Sequence, residues 1–348
     1  MSLRNRSGQK KRKSPGRRLF WATVKRRALR VRHLGEYLAV RLVMSFIQAV
    51  SIETCQWGSR WLAWIAADVV GVRRKIVLEN LLIAFPDSSL EQRKALARRM
   101  WEHLLLMICE IAHAPRRFHE TNWQKYIQLN NRRGLVRALL VPKPSVVVTA
   151  HFGNFEVGGY VTGFWGFRTY TVARPLDNPY LDAYVNNFRQ SLGQRMLPKD
   201  ESAEVADELL AEGGTLVLVG DHHAGSRGVW IEFMGKHASC HKALALFTLL
   251  NKAPMSVILI KRNRGPGCFD IVLADQFDPE VPGNDELRGV TELTQWYNDV
   301  LEREIRIAPD QYWWLHRRWR EAPPERKRRK PRAPRPAPEP AEQVRPAA

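Results

Sequence analysis

Four cysteines among 348 residues, none of them in a CxxC pair, are too few and too scattered for a disulfide framework. Cys55, Cys109, Cys240 and Cys268 fit a chain kept in a reducing compartment. Long apolar runs are missing as well. "LAVRLVMSFIQAVSI" (38–52) is interrupted by Arg41, and "WLAWIAADVVGV" (61–72) by Asp68. Neither reaches the ~18 uncharged residues of a spanning helix, and no small-residue cleavage site marks the first as a signal peptide. A basic start with interleaved Trp and Leu, followed by interrupted apolar stretches, predicts helices lying in a membrane interface. A buried helical hairpin and a single span are the alternatives. There is no internal repeat.

A surplus of one charge is absent from the body of the chain, although the net charge is +20. Residues 34–316 hold 31 basic and 31 acidic residues. The whole excess lies at the ends: residues 1–33 carry 13 Lys and Arg and no acid, and residues 317–348 carry 11 basic residues and 4 acids. Such arms meet phosphates, either of nucleic acid or of an anionic leaflet, where each basic residue contributes about 1 kcal/mol. Trp21, Trp313, Trp314 and Trp319 stand near basic residues, which fits base stacking or a bilayer interface. The neutral body and the lack of a nucleic-acid motif favour the membrane surface and no nucleic acid.

What is present divides into four stretches. Residues 1–18 read as a disordered basic arm. Residues 19–114 read as helix, a membrane-associating region whose last helix is capped by Ser88 or Ser89 and stopped by Pro115. Residues 115–322 alternate short β-branched runs with amphipathic stretches, the pattern of an α/β domain with a largely buried sheet. Strands are predicted at 145–150, 168–173, 215–221, 228–235, 255–262 and 268–275, and helices at 178–193, 202–214, 241–252 and 285–308. Residues 323–348, rich in Pro, Ala, Arg and Lys, read as a disordered tail.

The chemistry centres on "TAHFGNFEVGGY" (149–160). On a continuous helix His151 and Glu156 would point about 140° apart. A tight turn at Gly153-Asn154 lets them meet. His151 then emerges at the carboxyl end of a strand, where α/β folds place ligands, and Glu156 opens the next helix. A carboxylate on one ring nitrogen fixes the tautomer, so the other nitrogen can take a proton from a hydroxyl. A loop histidine beside a helix-start glutamate is the plain alternative.

The surroundings narrow the choice. "NLLIAFPD" (80–87), "HFGNFE" (151–156), "RPLDNP" (174–179), "DHHAGSRGVWIEFMG" (221–235) and "QYWWLHRRWR" (311–320) occur in order. Together they resemble the lipid A biosynthesis lauroyl/myristoyl acyltransferases, within the glycerolipid acyltransferase superfamily that carries His-x4-Asp/Glu. The resemblance covers residues from about 20 to 320. It implies a glycerolipid-acyltransferase-like mixed sheet flanked by helices, with an N-terminal helical membrane-associating segment. It also implies transfer of a fatty acyl chain from acyl carrier protein or a coenzyme A thioester to a glycolipid acceptor, at the cytoplasmic face of the inner membrane. No cofactor beyond the thioester co-substrate is implied, and no metal. His151 would be the base and Glu156 its orienting partner. Arg174 would meet a phosphate, and Asp221 would orient Arg174 or hold the site together. Backbone N–H groups of Gly153 and Asn154 are candidates for the oxyanion. Phe155 stands where the family commonly has Trp. "ASCHKA" (238–243) replaces the usual Thr and Gly, with Cys240 and Ala243 expected to line or support the groove. In "QYWWLHRRWR", Arg317, Arg318 and Arg320 are expected to face lipid phosphate or carrier protein.

Two other classes compete. One is a nucleic-acid- or membrane-binding protein working through the basic arms. The other is a metal-dependent hydrolase built on His222, His223, His237, Cys240 and His241, whose spacing matches no standard zinc pattern.

Overall fold

The computed structural model describes residues 15–140, 143–167, 169–191, 193–198 and 202–320. The expected tail at 323–348 and positions 1–14 of the expected arm lie outside these residues. Positions 15–18, expected as part of that arm, open a helix instead.

Four helices come first: α1 (Pro15–Ala49), α2 (Ile52–Trp64), α3 (Arg74–Ala84) and α4 (Leu90–Arg117). Ser89 caps α4 and forms a reciprocal capping box with Gln92, which starts the helix at the predicted place. Pro115 does not stop it. The helix runs to Arg117, and the Phe118 N–H closes the last turn on the Ala114 carbonyl at 3.0 Å. A proline near a helix end removes only one late bond. Leu81, Met100 and Leu104 of α3 and α4 are buried in the same core as the sheet, and the boundary expected after residue 114 falls inside α4.

The remaining elements, in chain order, are β1 (Ile127–Asn130), α5 (Arg132–Leu140), β2 (Ser145–Thr149), α6 (Phe155–Phe164), β3 (Thr169–Ala173), α7 (Pro179–Gln190), β4 (Arg195–Pro198), α8 (Ser202–Ala211), β5 (Thr215–Val219), β6 (Val229–Phe233), β7 (Lys236–Cys240), α9 (Ala243–Leu250), β8 (Met255–Arg262), β9 (Phe269–Phe277) and α10 (Val290–Ile307). Seven strands form one sheet in the order β1-β9-β8-β2-β5-β3-β4. It is mixed: β9 runs antiparallel to β8, and the other pairs are parallel. β6 and β7 form a separate antiparallel hairpin.

β2 sits in the middle and is buried along its whole length. Val146 and Val148 join the core beneath α9 and α10, while Val147 joins the core beneath α6. Alternation along a strand produces this split, and it explains why the run is apolar throughout.

The first two helices leave apolar side chains outside. Leu34, Leu38, Leu42 and Phe46 recur at four-residue spacing on α1, and Trp57, Trp61 and Trp64 share one face of α2. All seven are exposed, as are Val69 and Val70 beyond α2. Among the described residues no helix is long and apolar enough to cross a membrane.

Candidate active site

Neighbouring parallel strands assemble the site. β2 and β5 are in register, with Thr149 opposite Val219. Two residues beyond each of these come His151 and Asp221, so the register places them side by side at the carboxyl edge of the sheet. The Gly220 N–H donates to the Thr149 carbonyl at 2.8 Å and continues the ladder to the site. His151 Nδ1 donates to Asp221 Oδ1 at 2.8 Å, and the His151 backbone N–H donates to Oδ2 at 3.2 Å. Asp221 is buried. Burial alone would raise its pKa, but the charge that the His151 ring takes on when protonated, and its hydrogen bond, outweigh that and hold the carboxyl below the usual carboxylate range. With Nδ1 donating, Nε2 keeps the lone pair, which is the tautomer of a general base.

Glu156 does not supply this contact. It lies in the first turn of α6, and its carboxylate accepts from Arg189 Nε at 2.9 Å and from Nη2 of the same side chain. The side chains of this ion pair are only 16% and 23% exposed, for Glu156 and Arg189 respectively. The expected turn exists, with Gly153 at φ 60°, yet strand register aims Nδ1 at β5 while α6 starts toward α7. Arg189 was not predicted as a site residue. In "YVNNFRQ" it reads as an ordinary solvated base near a helix end, and no spacing marks it.

Gly153 and Asn154 also differ from expectation. Their N–H groups donate to the Gln311 carbonyl at 2.9 Å and the Ile260 carbonyl at 3.0 Å, so neither is free for an oxyanion. The Asn154 Oδ1 caps α6 at the Val157 N–H, and its Nδ2 donates to Glu110 Oε2 at 2.9 Å. Glu110 accepts from Arg262 at 2.6 and 2.7 Å. Arg262 Nη1 donates to His103 Nδ1 at 2.7 Å, and His103 Nε2 donates to the Gly153 carbonyl at 3.1 Å. Burial, with Arg262 next, keeps the His103 pKa well below the usual value, consistent with this neutral tautomer. The turn is thus held rigidly from below. The first-turn N–H groups of Phe155 and Glu156, which have no acceptor within the helix, remain as oxyanion candidates.

Gly153 has no room for a side chain: a Cβ there would run into the Ile260 carbonyl oxygen, at a backbone conformation that already disfavours one. Gly153→Ala is expected to lower stability by more than about 2 kcal/mol, read as a reduced melting temperature. Melting within a degree of the parent would contradict the packed turn described above.

The C-terminal segment is not a helix. Residues 312–320 cross the site as an irregular strap, with Tyr312 bridging to Phe152 and the Trp313 N–H donating to the His151 carbonyl at 3.0 Å. Asn80 Nδ2 donates to the carbonyls of Trp314 and His316, both at 2.7 Å, which links "NLLIAFPD" to "QYWWLHRRWR". Arg318 does not face outward. It is 2% exposed and donates to the Ser239 carbonyl at 3.0 Å, Cys240 Sγ at 2.8 Å and Asn298 Oδ1 at 3.0 Å. Arg317 and Arg320 are exposed. Cys240 supports the site from behind through Arg318, whereas Ala243 lines the cavity beside it. Arg174 is exposed at the cavity rim, 3.7 Å from Asp177, and Asp221 serves His151 rather than Arg174.

A cavity of about 800 Å³ opens beside the ring. His151, Glu156, Arg189 and His222 line it together with Leu135, Val147, Trp165, Ile258, Ile260 and Ile271. Its volume is within the range of small-molecule sites, and its wall is mostly apolar.

His222 and His316 complete the surroundings of His151. His222 Nε2 lies 3.1 Å from His151 Nε2. Burial, with His151 next, lowers both neighbours' pKa values, that of His316 to about 4. These three are the only histidines, cysteines or acids among the described residues that group closely enough to hold a metal ion. Of the five residues weighed for a metal hydrolase, only His222 is among them.

Residues 24–321 match the family described as bacterial lipid A biosynthesis acyltransferase. The chain is 22% identical over 302 residues to the lipid A biosynthesis palmitoleoyltransferase of Escherichia coli K12, covering 86% of this chain and 95% of that protein. It is 26% identical over 261 residues to the lauroyltransferase of the same strain, covering 72% and 80%. It is 24% identical over 270 residues to a lipid A biosynthesis acyltransferase of Haemophilus influenzae, covering 74% and 81%.

Proposed function

The chain belongs to the bacterial lipid A biosynthesis acyltransferase family, and from that premise we propose that it moves a fatty acyl chain from a thioester to a hydroxyl of a lipid A precursor or related glycolipid, with His151 as general base. The observation that carries this reading is the His151–Asp221 contact at the mouth of a large, mostly apolar cavity.

The chemistry is direct. In the resting geometry the His222 ring faces the His151 Nε2 lone pair, and the acceptor hydroxyl takes its place. Nε2 removes the hydroxyl proton as the oxygen attacks the thioester carbonyl, a contribution of roughly 10²- to 10⁴-fold. Asp221 stabilises the imidazolium that forms. The tetrahedral oxyanion accepts from the first-turn N–H groups of α6. Its collapse expels the thiolate, which takes the proton back from Nε2. Ester and free thiol form in equal amounts, and no acyl-enzyme is needed. Each methylene of the acyl chain buried in the cavity contributes about 0.8 kcal/mol to binding. Exposed Arg174, Arg317 and Arg320 suit the phosphates of coenzyme A or the acidic surface of acyl carrier protein.

Lipid mass spectrometry of cells with and without the protein tests the reaction. One missing acyl group on a glycolipid is the expected result; an unchanged lipid profile counts against it.

The exposed apolar stripes of α1 and α2 support attachment by lying in a membrane interface, which in this reading is the cytoplasmic face of the inner membrane. Replacing Trp57, Trp61 and Trp64 together by Ser is expected to weaken partition onto anionic vesicles at least tenfold, measured by co-sedimentation. Unchanged partition would remove α2 from the membrane contact.

A further inference from the structure

The strap and two strand ends bring together three rings that are remote in sequence. His151, His222 and His316 each offer a ring nitrogen, and these nitrogens all lie within 4.8 Å of one another. The ring centroids are 4.3, 4.9 and 4.8 Å apart. The separation of 3.1 Å between His151 Nε2 and His222 Nε2 is close to the roughly 3.3 Å edge that zinc–nitrogen bonds of 2.0–2.1 Å imply for a tetrahedral ion.

Two further features fit a metal ligand set. The other nitrogen of His151 is held by the Asp221 carboxylate, the arrangement that fixes the tautomer and orientation of a metal-binding imidazole. His316 Nε2 is buried and has no hydrogen-bond partner. A hydrogen bond between His151 and His222 accounts for two of the rings but leaves that nitrogen unsatisfied. Trp313 stacks on His316 with centroids 5.5 Å apart and planes 12° apart, which holds the ring. His222 is exposed, so water has access to a fourth position.

We propose that His151, His222 and His316 form a site for zinc, and that the bound ion inhibits acyl transfer by occupying the Nε2 lone pair of His151. The inhibition rests on His151 being the base, as argued above; the binding does not. Three neutral imidazoles with an open position suit a divalent first-row ion, and cobalt(II) reports the same geometry spectroscopically.

The full-length protein in detergent, stripped with a chelator, is titrated with cobalt(II) and then with zinc. One cobalt per chain is expected, with the visible bands of a nitrogen-rich, near-tetrahedral site, displaced by zinc. His316→Ala and, on the exposed side where folding is not at risk, His222→Asn should each weaken zinc binding by no less than the 10- to 100-fold typical of losing an outer partner. Zinc should stop transfer by the parent protein and a chelator should restore it. For His316→Ala, the zinc needed for half-inhibition should rise by the same factor as the dissociation constant. Absent cobalt bands, or bands indifferent to both substitutions, overturn the site and leave the acyltransferase reading untouched. Zinc bound at the three rings without inhibition overturns the inhibitory half and removes His151 as base.

Discussion

Asp221→Asn is expected to lower the rate of acyl transfer about 10²- to 10⁴-fold while leaving a folded protein. The carboxylate accepts two hydrogen bonds from one residue: Nδ1–H of His151 at one oxygen and its backbone N–H at the other. An amide has only one acceptor oxygen. If that oxygen faces Nδ1–H, the NH₂ meets the backbone N–H, donor against donor. If it faces the backbone, the NH₂ meets the ring, and the imidazole adopts the other tautomer, with its proton on Nε2. Either the loop shifts or the base loses the lone pair that accepts the hydroxyl proton. Steady-state turnover with circular dichroism as the folding control reads the effect. Turnover within threefold of the parent would show that Asp221 does not set the tautomer.

The second large effect concerns Glu156 and Arg189, which act as one unit at the cavity wall. Removing one partner of a buried ion pair leaves the other charge uncompensated, a loss of about 3–5 kcal/mol when burial is complete. These side chains keep some solvent contact, so a discounted loss of about 2 kcal/mol is expected for Arg189→Met. Glu156→Gln should destabilise similarly, and the double variant should be no less stable than either single one. The same cycle run between Glu156 and His151 should show no coupling beyond about 0.5 kcal/mol. Denaturant unfolding of the four proteins in each cycle measures both. A coupling of Glu156 to His151 larger than that to Arg189 would restore the contact that the sequence spacing implied.

How far the sequence reaches can be judged element by element. β2 and β8 are legible because strands buried on both faces are unbroken apolar runs. α4 is legible from its period and its capping box. "IQLN" and "RMLP" escape because they are edge strands too short to show a period, and the first pairs with β9, far along the chain. The position of His151 at a strand end was legible; its partner was not. That partner depends on the register between two strands 70 residues apart, whereas the local spacing points to Glu156. Arg318 was expected to face outward for a related reason: no local spacing shows that the strap's backbone is engaged by Phe152, His151 and Asn80, or that this side chain is buried. His316 stood inside a segment noted for its aromatics and arginines, with nothing in the spacing to set it apart.

The central claim is tested most directly by supplying the purified protein with a labelled acyl thioester and a glycolipid acceptor, and counting ester formed against thiol released. The account predicts one ester per thiol for the parent protein and neither product above background for His151→Ala at unchanged melting temperature. An ester formed by His151→Ala at a rate near the parent's, or thiol released without ester, would contradict it.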